Sequence, residues 1–228
     1  MFDIHASVLN HHDEHDEGLV EQYIAGLMTE FAQSPEARSI LEKYGDLDWA
    51  LAMVEYGINY LGTTPAEMSR SDFDEILFEI FPQKVTVEAD LAGQIVDEIR
   101  AFWQFVDRAY LLDNAPAILA ILNDGGTTRR LHKKLDDPST FGLAKSVVML
   151  GKKAGYDMST EEGIAEFMAV FNARVESGEL SDLPLGSLPG IGFGDLSSSP
   201  DRPTGDALKK KRKERKRQRD AKKRNRKR

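Results

Sequence analysis

The sequence predicts an all-α fold: a compact multi-helix domain followed by a disordered linker and a basic C-terminal tail. Three observations support this fold class. Apolar residues recur at three- and four-residue intervals from about residue 16 to residue 176, which places them on one face of a helix. Helix start and stop signals separate these runs. One stretch, 84–88, alternates like a strand, but it has no partner strand and is predicted to be an extended connector.

Composition divides the 228 residues into four parts. Residues 1–15 form a short, polar, His-rich segment, and residues 16–176 form the all-α domain. Residues 177–206 contain six Gly, four Pro and six Ser. This composition buries too little surface to offset the entropy of ordering, so the segment is predicted to be a linker before the tail at 207–228. Five large apolar residues are unusual in a pure spacer and are expected to dock on the helical body or on a partner: Leu183, Leu185, Leu188, Ile191 and Phe193.

The first helices are identified by their apolar stripes and their caps. The first stripe recurs every four residues and comprises Leu19, Tyr23, Leu27 and Phe31. Ser34, Pro35 and Glu36 then supply an N-cap, a proline at the first helical position and an acid near the positive end of the helix dipole. A further stripe runs from Leu47 to Leu61 and is followed by Gly62, a residue typical of a helix end.

The middle of the chain contains the candidate for the central core helix. Ser71 is predicted to cap a helix over 72–81, which Pro82 would end. The longest apolar stripe spans 91–110 and includes Trp103, so this helix is expected to lie at the centre of the domain.

The last helices follow from similar signals. Asn114 is predicted to cap residues 115–122, and Thr127 or Thr128 to start a basic amphipathic helix that runs through Leu135. Another helix is predicted at 143–153. Ser159 and Glu162 match the capping box, in which each side chain satisfies a backbone donor of the other residue, and this motif is predicted to start the final helix.

Several phrases of the helical body resemble a group of uncharacterised bacterial helical proteins. They are LDNA at 112–115, DPSTFGLAKS at 137–146, AGYD at 154–157, TEEG at 160–163 and FM at 167–168. The resemblance covers about residues 70–175 and implies a bacterial, cytoplasmic setting, but no activity. Some members of the group add a cysteine-containing metal-binding motif at the C-terminus. This chain departs from that pattern, because it has no cysteine and ends in a basic tail.

The composition excludes several classes of function. With no cysteine, the chain has no disulfide framework, thiol nucleophile, thiolate-bound zinc or iron–sulfur cluster. It shows neither a secretory leader nor a run of about 18 apolar residues, so we expect no membrane association and a cytoplasmic location. We assign no catalytic residue, no cofactor and no metal ligand.

The net charge of −8 conceals a strong asymmetry. The last twenty residues carry a charge of +13, and the first 208 carry −21. Such a separation is typical of a protein with a polyanionic partner. The candidate polyanion-binding residues are Lys209, Lys210, Lys211, Arg212, Lys213, Arg215, Lys216, Arg217, Arg219, Lys222, Lys223, Arg224, Arg226, Lys227 and Arg228.

Like charges four residues apart in this tail repel each other and are expected to keep it disordered until phosphates neutralise them. The tail contains no aromatic residue, so it cannot stack on bases. The favoured hypothesis is therefore a non-enzymatic protein whose tail contacts RNA, DNA or ribonucleoprotein without sequence specificity. The helical body would contact a protein partner, whose identity the sequence does not indicate.

Two alternatives come from other features of the sequence. The first is a metal-dependent enzyme that uses the N-terminal cluster of His5, His11, His12 and His15, because His11 and His15 would share one helix face. The cluster lacks the His-Glu-x-x-His pattern. The second is a self-associating module in which the cationic tail binds the acidic body.

The remaining motifs favour structural roles. The glycine-rich stretch at 190–195 lacks the strand and helix that a phosphate-binding loop requires. His132 is the only histidine of the helical body and lies in the basic patch 129–134, which favours a solvated helix face over catalysis. Trp49 and Trp103 are expected in the core, and the Asp72/Asp74 and Asp136/Asp137 pairs are expected to act as caps and surface carboxylates.

Overall fold

The computed structural model describes residues 2–10 and 16–176, together with residues 207, 208, 210 and 213. Within these residues the secondary structure is helical and contains no β-strand, which confirms the all-α fold class. Lys84 is followed by the extended connector that the sequence predicts. The α-helices are α1 (Glu17–Ala32), α2 (Pro35–Tyr44), α3 (Asp48–Tyr56), α4 (Arg70–Glu75), α5 (Phe81–Lys84), α6 (Ala92–Tyr110), α7 (Ala115–Leu122), α8 (Thr127–Asp136), α9 (Leu143–Lys153) and α10 (Glu161–Glu176).

The helix starts show which predicted caps form. Ser34 caps α2 as predicted, since its hydroxyl accepts a hydrogen bond from the backbone N–H of Ala37 at 3.1 Å. The cap of α4 is Ser69, so the prediction of Ser71 was wrong. Ser69 has extended backbone geometry and forms a reciprocal capping box with Asp72.

The last helix is also capped one residue away from the predicted position. The backbone N–H of Gly163 donates to the Thr160 hydroxyl at 3.1 Å, and the Ser159 hydroxyl instead bonds the Asp157 carboxylate. The predicted capping box of Ser159 and Glu162 was therefore wrong. Adjacent Ser and Thr residues compete for the same role, and the backbone conformation decides between them.

Two helices continue through π turns. The turn π1 (Gly57–Leu61) extends α3, and Gly62 ends it with φ of 64°, as expected for a glycine C-cap. The turn π2 (Ile76–Ile80) joins α4 to α5, so Pro82 does not stop the helix as predicted. Pro82 lies instead in α5, directly after the π turn, and the helix ends two residues later at Lys84.

Helix α6 is the centre of the main core, as the longest apolar stripe predicts. Its buried residues include Phe102, Trp103 and Phe105. The rings of Phe31 and Phe102 meet edge to face with centroids 5.2 Å apart, and Phe73 meets Trp103 in the same way at 6.1 Å. Edge-to-face pairs of this kind add to the stability gained by burying the rings.

The N-terminal segment 2–10 packs onto α1. Ile4 and Val8 belong to the main core, although the sequence analysis begins the domain at residue 16. The Tyr23 hydroxyl donates to the backbone carbonyl of Ile4 at 2.9 Å, and the Phe2 ring meets the Tyr23 ring edge to face at 5.0 Å. The Phe2 ring also lies over Gly26, where a Cβ atom would approach it to 2.6 Å.

The helices α9 and α10 form a hairpin with a small core of its own. Its buried residues are Met158, Phe167 and Phe171. The hairpin is joined to α5 by two backbone-directed hydrogen bonds. The N–H of Gly142 donates to the Gln83 carbonyl at 3.0 Å, and the Lys145 ammonium donates to the Pro82 carbonyl at 3.0 Å.

Candidate nucleic-acid interface

The structure describes two of the fifteen predicted tail cations, Lys210 and Lys213. Both side chains are exposed, and neither forms an ion pair or a hydrogen bond within the described residues. The other thirteen cations of the set, with most of the tail, lie outside the described residues. Ala207, Leu208, Lys210 and Lys213 have helical backbone geometry, and the Leu208 side chain is only 3 % exposed.

Several cations of the helical body pair with neighbouring carboxylates, in contrast to the two tail lysines. They are Lys43, Arg100, Arg108, Arg130 and Lys134. Arg108 donates two hydrogen bonds to Glu36, at 2.6 and 2.9 Å. This contact lowers the pKa of the Glu36 carboxyl. Where a guanidinium is already occupied by a carboxylate in this way, it has little capacity left for a phosphate.

A second group of paired charges surrounds Asp97 on α6. Its carboxylate accepts hydrogen bonds from Lys43 at 2.9 Å, from the Tyr44 hydroxyl at 2.7 Å and from Arg100 at 2.8 Å. Burial opposes the ionisation of Asp97, but these three donors outweigh it and lower its pKa. Arg100 also donates to the Leu122 carbonyl at the end of α7, which ties α6 to α7.

The basic patch predicted on α8 is divided between paired and unpaired cations. Arg130 makes two hydrogen bonds to Asp74 at 2.8 and 3.0 Å and lies over the Phe78 ring, and Lys134 pairs with Glu79 at 3.1 Å. These two cations are therefore committed to α4 and π2.

The outward edge of α8 keeps two cations that make no ion pair within the described residues, Arg129 and Lys133. They are four residues apart and share one exposed helix face with His132. This edge of α8 therefore presents two neighbouring cations that no described carboxylate neutralises.

Most residues of the N-terminal histidine cluster and of the glycine-rich stretch lie outside the described residues. His5 is exposed, while His11, His12 and His15 lie outside the described residues, as does the glycine-rich stretch 190–195. The described part of the chain holds no group of three or more residues that could bind a metal ion. None of the described helices is long and apolar enough to cross a membrane.

The aspartates and tryptophans occupy the structural positions that the sequence favours. Asp72 completes the cap of α4, and Asp74 binds Arg130. Asp137 accepts hydrogen bonds from the backbone N–H and the hydroxyl of Ser139. Trp103 is fully buried, and Trp49 is half-buried against the main core.

Sequence reasoning missed Glu98, a glutamate with no exposed surface in the middle of α6. Its Oε1 accepts a hydrogen bond from the backbone N–H of Ala50 at 2.7 Å and so serves the first turn of α3, whose own N-cap residue makes no side-chain bond. Its Oε2 has no partner in the described residues. Burial raises the pKa of Glu98 from its usual 4.5 to about 7, although the bond from Ala50 opposes the rise.

Sequence reasoning also missed Lys145, which is 1 % exposed at the start of α9. Besides its bond to the Pro82 carbonyl, its ammonium lies 4.0 Å from the centroid of the Phe141 ring. Burial lowers the pKa of Lys145 from 10.5 to about 8. The lysine donates to the Pro82 carbonyl near the end of α5, which gives it a structural role at the base of the hairpin.

Comparison of the chain with protein-family models, curated proteins and solved structures gives no match.

Proposed function

We propose that this protein binds RNA, DNA or ribonucleoprotein without sequence specificity through its basic tail, while the helical body binds a protein partner in the cytoplasm. The observation that carries the proposal is the separation of charge, +13 in the last twenty residues against −21 in the rest. The structure supports it at the residues it describes. Lys210 and Lys213 form no ion pair within the part of the chain that the structure describes, whereas Arg108, Arg130 and Lys134 are occupied by carboxylates.

The physical basis of this binding is the release of counterions. Each phosphate that a lysine or arginine neutralises frees a condensed cation, so affinity falls steeply as salt is added. A protein that makes about six to ten phosphate contacts loses roughly 10³- to 10⁵-fold in affinity between about 50 and 200 mM salt. The fifteen cations of the tail are sufficient for contacts in this range.

The composition of the tail also predicts broad recognition. Aromatic side chains are the main platforms on which bases stack, and the tail has none. Contacts to the sugar–phosphate backbone carry no sequence information. We therefore expect similar affinities for nucleic acids of different sequence at equal length and salt.

The acidic body confines this binding to the tail. The first 208 residues carry a net charge of −21, which repels phosphate, so a nucleic acid that binds the tail is kept away from most of the body surface. Arg129 and Lys133 on α8, which make no ion pair within the described residues, are expected to add contacts.

Two double variants test the proposal with matched charge changes. Lys210→Gln with Lys213→Gln removes two tail cations, and Lys152→Gln with Lys153→Gln removes two exposed cations from α9. Affinity for a duplex of fixed length is measured over a salt series. The tail variant is expected to lower the slope of log affinity against log salt by about 1.8, or about 0.9 for each lost contact.

The α9 variant is expected to leave that slope unchanged. Equal effects of the two double variants would show that the tail has no special role and that net charge alone governs binding. If small-angle scattering of the protein without nucleic acid shows salt-dependent compaction, the tail binds the acidic body instead. That result would favour the self-associating module.

A further inference from the structure

The hairpin of α9 and α10 has apolar side chains that its own small core does not cover. Ile164 and Val170 on α10 are each 40 % exposed. On α9, the four consecutive residues Val147, Val148, Met149 and Leu150 are all partly buried. Val147, Val148 and Leu150 pack in part against the small core, whereas Met149 does not belong to it. Because successive helix residues are separated by about 100°, these four present apolar surface around most of the helix. A helix that is apolar on nearly every side is typical of a buried position.

The described residues supply only part of the cover that α9 requires. The cluster of Met158, Phe167 and Phe171 contains no residue of the main core. The hairpin is held to α5 at the start of α9, through Gly142 and Lys145, and the rest of α9 continues beyond these bonds. Two packed helices bury one face each, so a further element is needed to cover the remaining apolar surface.

We propose that residues 183–193 of this same chain dock on the apolar surface of the hairpin. The segment starts seven residues after α10 ends at Glu176 and carries the five large apolar residues noted above. Eleven extended residues span about 35 Å, whereas the sixteen residues of α10 span about 24 Å. The segment is therefore long enough to run back along the whole hairpin.

The distribution of charge supports a docked segment that runs back from the end of α10 towards the end of α9. In a helical hairpin the end of α9 lies beside the start of α10, and there the exposed Lys152 and Lys153 make no ion pair within the described residues. A segment that leaves the end of α10 and returns along the hairpin brings Asp195 to these lysines. The apolar residues then lie over Ile164 and Met149, and the acidic residue lies beside the basic end.

Docking at this surface would also bring the start of the tail closer to the body. Only residues 194–206 would remain between the docked segment and the tail. As a flexible coil these thirteen residues span about 20 Å root-mean-square, compared with about 30 Å for the thirty residues of 177–206. The inference does not depend on the proposed binding of nucleic acid.

Amide hydrogen exchange on the full-length chain without nucleic acid tests the docking. In the test variant, Leu185→Ser, Leu188→Ser and Ile191→Ser remove three docking side chains. Exchange in α10 is expected to accelerate at least about tenfold, the change that corresponds to losing roughly one buried leucine. Exchange in α6 should stay as in the parent, which shows that the main core remains folded.

A single pair of variants supplies the matched control. Leu188→Ser is expected to accelerate exchange in α10, whereas Leu196→Ser, just beyond the proposed docking segment, is expected to leave it within about twofold of the parent. Unchanged exchange in the triple variant would overturn the proposal. A dimer in sedimentation, with protection of α10 that is lost on dilution, would also overturn it, because a second copy would then cover this surface.

Discussion

Glu98 shows how a single buried carboxyl group links two helices of the core. It lies on α6 and accepts the backbone N–H of Ala50, which the first turn of α3 would otherwise leave without a partner. Because the folded state holds its proton more tightly than the unfolded state does, the stabilisation from this group is complete below pH 4.5. It is lost as the pH rises through about 7.

Replacement of Glu98 tests this dependence on pH. Glu98→Gln keeps an oxygen acceptor for Ala50 and removes the titration. We expect the difference in unfolding free energy between pH 5 and pH 8 to shrink by roughly 2 to 3 kcal/mol, since each pKa unit corresponds to about 1.4 kcal/mol. Urea unfolding at pH 5 and at pH 8 measures this difference in unfolding free energy for each variant. The exposed replacement Glu42→Gln serves as the control, and an identical change in both variants would contradict the account.

At the residue scale, the sequence predicted that a hydroxyl residue caps these helices, but where several hydroxyl residues are close together it did not predict which one. Ser34 is correct because only one hydroxyl precedes Pro35. Where several hydroxyls are adjacent, as at Ser69 and Ser71 or at Ser159 and Thr160, only the backbone conformation selects the cap. Glu98 follows Ile95 by three residues, which places it on the buried face, whereas no periodic signal marks Lys145.

At the scale of elements, the contact between Gly142 and α5 controls how the hairpin is attached. A Cβ atom on Gly142 would lie 2.7 Å from the Gln83 carbonyl oxygen, closer than such atoms normally approach. The same glycine donates its N–H to that oxygen at 3.0 Å. The connection from α8 to α9 therefore requires a residue without a side chain at this position.

Gly142→Ala is expected to destabilise the attachment of the hairpin by about 1 to 3 kcal/mol, because the backbone must shift to relieve the clash. Gly93→Ala in α6 is the matched control, since nothing lies within 4 Å of its added Cβ. The control is expected to be neutral or stabilising by up to about 1 kcal/mol. Hydrogen exchange in α9 measures the stability of the hairpin attachment in the two variants, and thermal unfolding measures the stability of the whole fold. Equal stability of both would show that the close approach has no energetic effect.

The elements were predictable where periodicity and caps agree. The stripe at 91–110 and the segment 143–153 correspond closely to α6 and α9. Pro82 misled the sequence analysis because a π turn shifts the hydrogen-bond register, and a local stop signal does not reveal such a shift. The packing of Ile4 and Val8 was missed because a segment without helical periodicity gives no sign of its tertiary contacts.

On the scale of the whole molecule, the separation of charge can be predicted from the sequence, whereas the ion pairs and the division of the core cannot. The charge separation is visible in the sequence because it depends only on composition along the chain. The pairing of Arg130 and Lys134 with α4 and π2 is not visible there, since it depends on how distant elements pack. The separate core of the α9–α10 hairpin likewise emerges only from the folded chain.

Removal of residues 209–228 tests the central claim most directly. The chain truncated after Leu208 and the full-length chain are compared for binding to RNA and DNA of equal length over a salt series. The account predicts that the truncated chain loses measurable binding at about 50 mM salt, while the full-length chain shows a steep salt dependence on both nucleic acids. Equal affinities of the two chains, or a salt dependence that survives truncation, would contradict it.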